Sequence, residues 1–136
     1  MIDRIIVVSG PVSSGKSELS RRLAVRLRAP VIKTRDIIVS TLSKRHKKDR
    51  FGLQRAGDRL DRQTDGQWLT DAVARRVRNA ATDEGCLIVD SVRVGIQIDR
   101  IRESFGPKVS HIHVSAPIDV LRSRFAKRAS ESGSDS

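Results

Sequence analysis

The chain has 136 residues, a length that fits one domain with a sizeable core. Hydrophobic residues make up 38% of it, and no stretch approaches the roughly 18 consecutive apolar residues of a membrane span. Its single cysteine, Cys86, excludes an internal disulfide and a cysteine-rich metal site. Together these features predict a globular, cytoplasmic protein that has no membrane partner.

The formal net charge of +11 predicts anionic partners such as nucleotides or nucleic acid. The basic residues are spread along the chain, and one tryptophan and three phenylalanines are too few for base-stacking platforms. Nucleic acid is therefore the weaker of the two expectations.

The first predicted element is a strand at Ile5–Val8, a continuous β-branched run that suits a parallel sheet buried on both faces. It leads into the spacing G-x-x-x-x-G-K-S, which opens a stretch typical of helix. This loop consists of Gly10, Pro11, Val12, Ser13, Ser14, Gly15, Lys16 and Ser17.

The loop has the spacing and the strand-then-helix context of a phosphate-binding P-loop. Its glycines allow backbone angles that a Cβ would forbid, so successive amides can surround an anion at a helix N-terminus. Lys16 can then reach the β- and γ-phosphates, and the Ser17 hydroxyl can bind Mg²⁺. The loop therefore predicts ATP and Mg²⁺ as ligands.

Helical periodicity follows the loop, with Leu19, Leu23 and Leu27 forming an apolar stripe that ends before Pro30. A short strand is predicted at residues 31–33, and a helix with Ile37, Ile38 and Leu42 comes after it. Residues 44–50 are highly charged and predict an exposed, mobile connection. Two helices are then expected, at about 53–60 and 64–81, and the second of them packs Trp68 in the core.

A second buried-strand run, residues 86–90, ends in Asp90, which fits the Walker B role of orienting the metal or its water shell. A helical face closes at Phe105, and a strand at residues 109–114 carries His111 and His113 on one side. These two histidines have no obvious third metal ligand, so packing or surface placement is favoured. A helix from Pro117 precedes a Ser-rich tail, residues 130–136, that is predicted to be disordered.

Strands and helices alternate along the whole chain, which predicts an α/β fold, a P-loop NTPase three-layer sandwich with a parallel sheet. After the last predicted helix the fold would normally add a final strand, and this chain lacks a run that supplies it. We expect either a natural minimal domain or a piece of a longer protein, with a fused or partner domain beyond residue 136.

Four segments together resemble the P-loop nucleoside and nucleotide kinases, and within them the deoxynucleoside monophosphate kinases and adenylate-kinase-related proteins. The resemblance covers most of the chain, although only its P-loop is highly specific. A fainter similarity is to kinase-like domains fused to adenylosuccinate synthetase. The segments are the P-loop, Arg50–Gly57 continuing to Arg62 and Trp68, Asp90–Arg93, and Leu121–Arg128.

The resemblance implies a kinase-like domain over residues 1–129, with an acceptor-binding insertion at about 36–81 and the start of a lid at about 122–129. ATP and Mg²⁺ would be its cofactors and a nucleotide or nucleoside its acceptor. The catalytic residues implied are Lys16, Asp36, Asp90, Arg124 and Arg128. The acceptor-binding residues implied are Asp36, Arg50, Gln54, Arg62 and Arg93, and the metal would be held by Ser17 and Asp90.

Asp36 keeps two functional interpretations. A hydroxyl acceptor would use it as a general base, whereas a phosphate acceptor needs no base and Asp36 would then bind ribose or base. Two other classes of function also stay open. One is a non-catalytic ATP-binding regulatory domain of a larger or partner enzyme; the other is a nucleic-acid-binding ATPase, for which affinity would fall steeply with salt.

Overall fold

The computed structural model describes residues 1–42, 50–92 and 95–131, except for the side chains of residues 50 and 131. Within these ranges strands and helices alternate as predicted. The strands are β1 (Arg4–Ser9), β2 (Val31–Lys33), β3 (Cys86–Val92) and β4 (Val109–His113). The helices are α1 (Lys16–Leu27), α2 (Thr34–Thr41), α3 (Arg50–Thr64), α4 (Gln67–Arg78), α5 (Gly95–Phe105) and α6 (Ile118–Glu131).

The four described strands form one parallel sheet in the order β2-β3-β1-β4. The chain leaves β1 towards β2 on one side, and it leaves β3 towards β4 on the other. The carboxyl ends of β1 and β3 therefore flank a topological switch point, the position at which open α/β sheets bind ligands. Ser9 is the last residue of β1, whereas Asp90 precedes the end of β3, because that strand continues to Val92 beyond the predicted run.

Side chains from alternate positions of β1 enter two different cores. Ile5 and Val7 join the larger core, which also contains residues of helices α2 to α5. Ile6 and Val8 join a smaller core on the opposite face, against which Leu19, Leu23 and Ala24 of α1 pack. This arrangement is the three-layer α/β sandwich that the sequence predicts.

The apolar stripe of α1 packs less completely than its periodicity suggests. Leu19 and Leu23 contact the smaller core, but Leu27 is 44% exposed and its neighbour Val25 is 75% exposed. The last turn of α1 therefore extends beyond the apolar surface that the sheet offers to it.

The boundary between α3 and α4 lies at Asp65 and Gly66, so the prediction of a helix starting at about residue 64 is wrong by a few residues. Both residues have positive φ, 52° and 78°, which ends α3 and starts a new axis. A Cβ on Gly66 would come within 3.1 Å of the Ile96 side chain, so α5 also packs closely against this turn. Trp68 is 8% exposed in the larger core, as predicted.

Three sequence predictions fall partly or wholly outside the described residues. They are the charged connection at 44–50, of which only the backbone of residue 50 is described, Arg93, and most of the Ser-rich tail. The tail was predicted from residue 130, whereas α6 extends through Glu131. Among the helices that the structure describes, none combines the length and apolarity needed to cross a membrane.

Candidate active site

The P-loop connects the carboxyl end of β1 to the first residue of α1, Lys16. Ser13 and Gly15 have left-handed φ angles of 68° and 98°, and the Ser14 amide donates to the Pro11 carbonyl at 3.2 Å. A left-handed conformation costs a residue with a Cβ about 1–2 kcal/mol. Ser13 adopts this conformation despite its cost. The left-handed residue directs the backbone into α1 at the position where amides can face an anion.

Gly10 is required because β4 comes very close to the start of the loop. A Cβ on Gly10 would lie 2.4 Å from the Val114 carbonyl oxygen and 2.7 Å from Ser14 Oγ. The Val114 amide also donates to the Ser9 carbonyl at 2.8 Å. The loop entrance is thus fixed to the segment that follows β4.

Two P-loop hydroxyls are buried without a protein partner. Ser13 and Ser14 are 2% and 6% exposed, and neither Oγ atom has a hydrogen bond to any part of the chain that the structure describes. Burying an unpaired hydroxyl costs about 1–3 kcal/mol. Phosphate oxygens at the loop would accept from these hydroxyls, so the loop fits the triphosphate that its sequence predicts.

The predicted metal-binding residues line a common cavity at the switch point. Ser17 is half-buried in the first turn of α1, and Asp90 is 2% exposed at the end of β3. The Ser91 hydroxyl donates to Asp90 Oδ1 at 3.2 Å, which orients the carboxylate. Hydroxyl and carboxylate oxygens are suitable ligands for Mg²⁺. Lys16 is 7% exposed, and its ammonium donates to the Pro11 carbonyl at 3.3 Å.

Both predicted lid arginines lie near the P-loop. Arg124 Nη1 donates to the Ser13 carbonyl at 3.3 Å. Arg128 lines a cavity of about 240 Å³ together with Gly15, Lys16 and Ser17. Helix α6 therefore brings two guanidinium groups to the outer side of the loop, where they can neutralise phosphate charge.

A second, wider cavity of about 940 Å³ lies on the inner side of the loop. It extends from the β2 end of the sheet, past Lys16 and Asp90, to the end of β4, and its apolar wall includes Ile38, Leu53 and Ile98. Because Pro11, Lys16 and Ser17 line it as well, this cavity is continuous with the P-loop and extends well beyond it.

The structure brings only some of the predicted acceptor residues to this wider cavity. Gln54 of α3 lines it. Asp36 and Arg62 are exposed on α2 and α3 and are absent from its described lining, so their acceptor roles stay predictions. Arg93 and the side chain of Arg50 lie outside the described residues.

Several lining residues were not singled out by the sequence analysis. Lys33 and Arg35 flank the cavity at the end of β2, and Asp58 reaches it from α3. Ser9 lines its β4 end together with His111 and His113, the two histidines that the sequence analysis did name and for which it favoured packing or surface placement. The available signal was positional, because residues at the carboxyl ends of parallel strands border the ligand crevice in α/β proteins.

The sheet order, the loop and the two adjacent cavities define a P-loop NTPase fold of the kinase-like type. A family model described as an AAA domain, AAA_18, matches residues 6–136. The chain therefore belongs to this family of P-loop domains.

Curated relatives from methanogenic archaea are also similar to the chain. A UPF0200 protein of Methanosarcina acetivorans is 34% identical over 133 residues, a match covering 92% of this chain and 66% of the relative. A UPF0200 protein of Methanosarcina mazei is 33% identical with the same coverage. The chain thus spans 66% of the length of these relatives.

Solved structures share the fold at low sequence identity. A candidate kinase of Chloroflexus aurantiacus is 22% identical with a TM-score of 0.68, covering 96% of this chain and 69% of that one. A gluconokinase of Sinorhizobium meliloti is 20% identical with a TM-score of 0.56, covering 100% and 69%. A sugar kinase of Janibacter is 19% identical with a TM-score of 0.59, covering 92% and 67%. These similarities establish the kinase-like fold alone.

Proposed function

We propose that this chain is a Mg²⁺- and ATP-dependent phosphotransferase that acts on a nucleotide or nucleoside, with a nucleoside monophosphate as the leading acceptor. The observation that carries the proposal is the wide cavity of about 940 Å³ that opens directly onto the P-loop. A domain that only bound ATP would need the loop but not this adjacent volume. The choice of a nucleoside monophosphate rests on the resemblance to the deoxynucleoside monophosphate kinases.

The residues of the loop would position and neutralise the transferring phosphoryl group. The amides of Ser13 and of Gly15 to Ser17 and the Lys16 ammonium would hold the β- and γ-phosphates, and Arg124 and Arg128 would approach them from α6. Ser17 and Asp90 would hold Mg²⁺, which supplies charge neutralisation when bound. Phosphoryl transfer depends mainly on such positioning and electrostatic stabilisation.

Two features of the cavity support an anionic acceptor. Lys33 and Arg35 line it, and their positive charge would attract a ligand that carries phosphate. Asp36, the general base that a hydroxyl acceptor was expected to use, is exposed and outside the described lining. A phosphate acceptor is already anionic and needs no such base.

A hydroxyl acceptor is the second candidate, because two similar structures are described as a gluconokinase and a sugar kinase. The Asp58 carboxylate in the cavity offers a proton acceptor for such chemistry. An acceptor screen should therefore contain polyhydroxy compounds in addition to nucleotides.

Release of ADP from ATP, measured with a panel of acceptors, tests the proposal. The panel contains nucleoside monophosphates, nucleosides, gluconate and neutral sugars, and the control reaction contains no acceptor. We expect nucleoside monophosphates to stimulate ADP release well above bare hydrolysis. Stimulation only by gluconate or sugars would favour the second candidate, and tight ATP binding without any stimulation would indicate a regulatory domain.

Lys33→Ala provides the matched test of the acceptor side. Because Lys33 lines the cavity, its loss should raise the acceptor KM about 3- to 10-fold while the KM for ATP changes little. Lys108→Ala removes an exposed lysine after α5 and should change neither constant. Equal effects of the two substitutions would show that Lys33 acts only through the net charge.

A further inference from the structure

A serine and two histidines form a hydrogen-bonded cluster at the β4 end of the wide cavity. Ser9 is the last residue of β1, and its register partner on β4 is His113, whereas His111 pairs with Val7. Ser9 Oγ lies 2.7 Å from His111 Nε2 and 2.9 Å from His113 Nδ1. All three residues line the cavity, so one buried hydroxyl connects two imidazoles beside the P-loop.

The hydrogen-bonding capacity of the cluster follows from its single hydroxyl proton. Ser9 donates that proton to one imidazole nitrogen and accepts from an N–H of the other. In two neutral rings, the remaining nitrogens then comprise one N–H donor and one lone pair. These nitrogens, His111 Nδ1 and His113 Nε2, have no hydrogen-bond partner among the residues that the structure describes.

One added proton changes this capacity without disturbing the cluster. The proton enters the ring that already donates to Ser9, and it occupies the lone pair on that ring's remaining nitrogen. The contacts to Ser9 stay as they are, and the cluster now offers two N–H donors and one positive charge. Both added features, the second N–H donor and the positive charge, favour a bound anion.

The surroundings of His111 oppose this proton in the free protein. Burial lowers the pKa of His111 below its usual 6.5, and the charges of Arg102 on α5 and of His113 lower it further. Ser9, which packs beside it from β1, carries no charge. A bound anion would oppose this effect, because its negative charge favours the protonated form of a neighbouring imidazole.

We propose that Ser9, His111 and His113 form an anion subsite that holds the phosphoryl group of the acceptor next to the P-loop. The proposal rests on the proposed function, since it concerns the acceptor of the same reaction. Ser9 directly precedes Gly10, so an anion at the cluster lies beside the loop that would carry the transferring phosphate. Lys33 and Arg35 lie two strands away, at the opposite end of the cavity, so their positive charge would attract the acceptor at long range and would not contact this phosphoryl group.

Binding of an acceptor at this subsite takes up at most one proton. Titration calorimetry near neutral pH, in two buffers of different ionisation enthalpy, measures that proton directly. The ligands are AMP and UMP for the acceptor, Mg²⁺-ATP for the donor, and inorganic phosphate for the isolated group. The difference between the wild-type protein and a variant isolates the part of the proton uptake that depends on the two histidines.

The variant His111→Gln/His113→Asn keeps a polar nitrogen or oxygen near each position that contacts Ser9 but cannot take up a proton. We expect it to lose the proton uptake with AMP, UMP or phosphate and to bind them about 10-fold more weakly. Binding of Mg²⁺-ATP should stay within about 2-fold of the wild-type affinity. His46→Asn, which removes the third histidine of the chain, should match the wild-type protein.

Each contrary outcome has a distinct meaning. Equal proton uptake in the wild-type protein and the double variant overturns the subsite, while acceptor-stimulated ADP release would leave the proposed function standing. A histidine effect confined to Mg²⁺-ATP also overturns it, because the cluster would then serve the donor. If the wild-type protein binds none of the ligands, both proposals fail. As a second measurement, the imidazole proton resonances should show a raised pKa when AMP or UMP is bound.

Discussion

At the residue scale, the P-loop contains two buried hydroxyls whose contribution to the free energy depends on whether a ligand is bound. Ser14 Oγ has no described protein partner, and it also lies close to the position of any Cβ on Gly10. In the free protein the unpaired hydroxyl costs stability, whereas with phosphate bound it would donate a charge-assisted hydrogen bond. The Ser14 hydroxyl therefore lowers the stability of the free protein but strengthens the binding of the ligand.

Ser14→Ala should reveal that opposition. We expect the free energy of unfolding without ligand to stay equal or rise by up to about 1 kcal/mol, because an unsatisfied hydroxyl is removed. The Kd for Mg²⁺-ATP should increase about 3- to 10-fold. Ser20→Ala is the matched control, since Ser20 Oγ is also buried and unpaired in the described structure but lies within α1, outside the P-loop. An equal loss of ATP affinity in both variants would contradict the account.

At the element scale, one carboxylate connects three helices of the larger core. Asp61 of α3 accepts from Trp68 Nε1 of α4 at 2.6 Å and from Gln97 Nε2 of α5 at 2.9 Å. Trp68 and Gln97 are 8% and 2% exposed, so neither donor has easy access to water. The carboxylate therefore fixes how the three helices pack against one another.

Asp61→Ala should lower the free energy of unfolding by about 1.5–3 kcal/mol, because two buried donors lose a charged acceptor. Asp71→Ala is the control, since Asp71 is exposed and accepts only from Gln67 on its own helix among the described contacts. It should cost less than about 0.5 kcal/mol. Urea unfolding followed by the fluorescence of the sole tryptophan measures both values.

The sequence predicted the elements themselves, but it did not predict their exact boundaries or the contacts between them. The loop, the buried strands and Asp90 were predictable because each is a contiguous pattern. Leu27 belongs to the predicted apolar stripe of α1 but is exposed, because the last turn of the helix extends beyond the sheet. The boundary between α3 and α4 depends on two residues in the left-handed conformation. The Ser9 cluster joins residues more than a hundred positions apart, so only strand pairing could reveal it.

At the scale of the whole molecule, the lowered pKa of His111 predicts a pH dependence of stability. The folded state binds fewer protons at this residue than the unfolded state, whose pKa is near 6.5. The stabilising contribution is present above about pH 6.5 and is lost as pH falls from there towards the lower pKa of the folded state. His111→Gln should therefore flatten the curve of unfolding free energy against pH in this window, measured by urea unfolding. His46→Asn should leave the slope unchanged.

The central claim is that the loop between β1 and α1 holds a triphosphate at the mouth of an acceptor cavity. A crystal structure with Mg²⁺ and a non-hydrolysable ATP analogue tests it most directly. We predict density for the β- and γ-phosphates on the amides of Ser13 and of Gly15 to Ser17, within hydrogen-bond distance of Ser14 Oγ and Lys16 Nζ. Density for the analogue at any other place, or an empty loop at saturating concentration, would contradict the account.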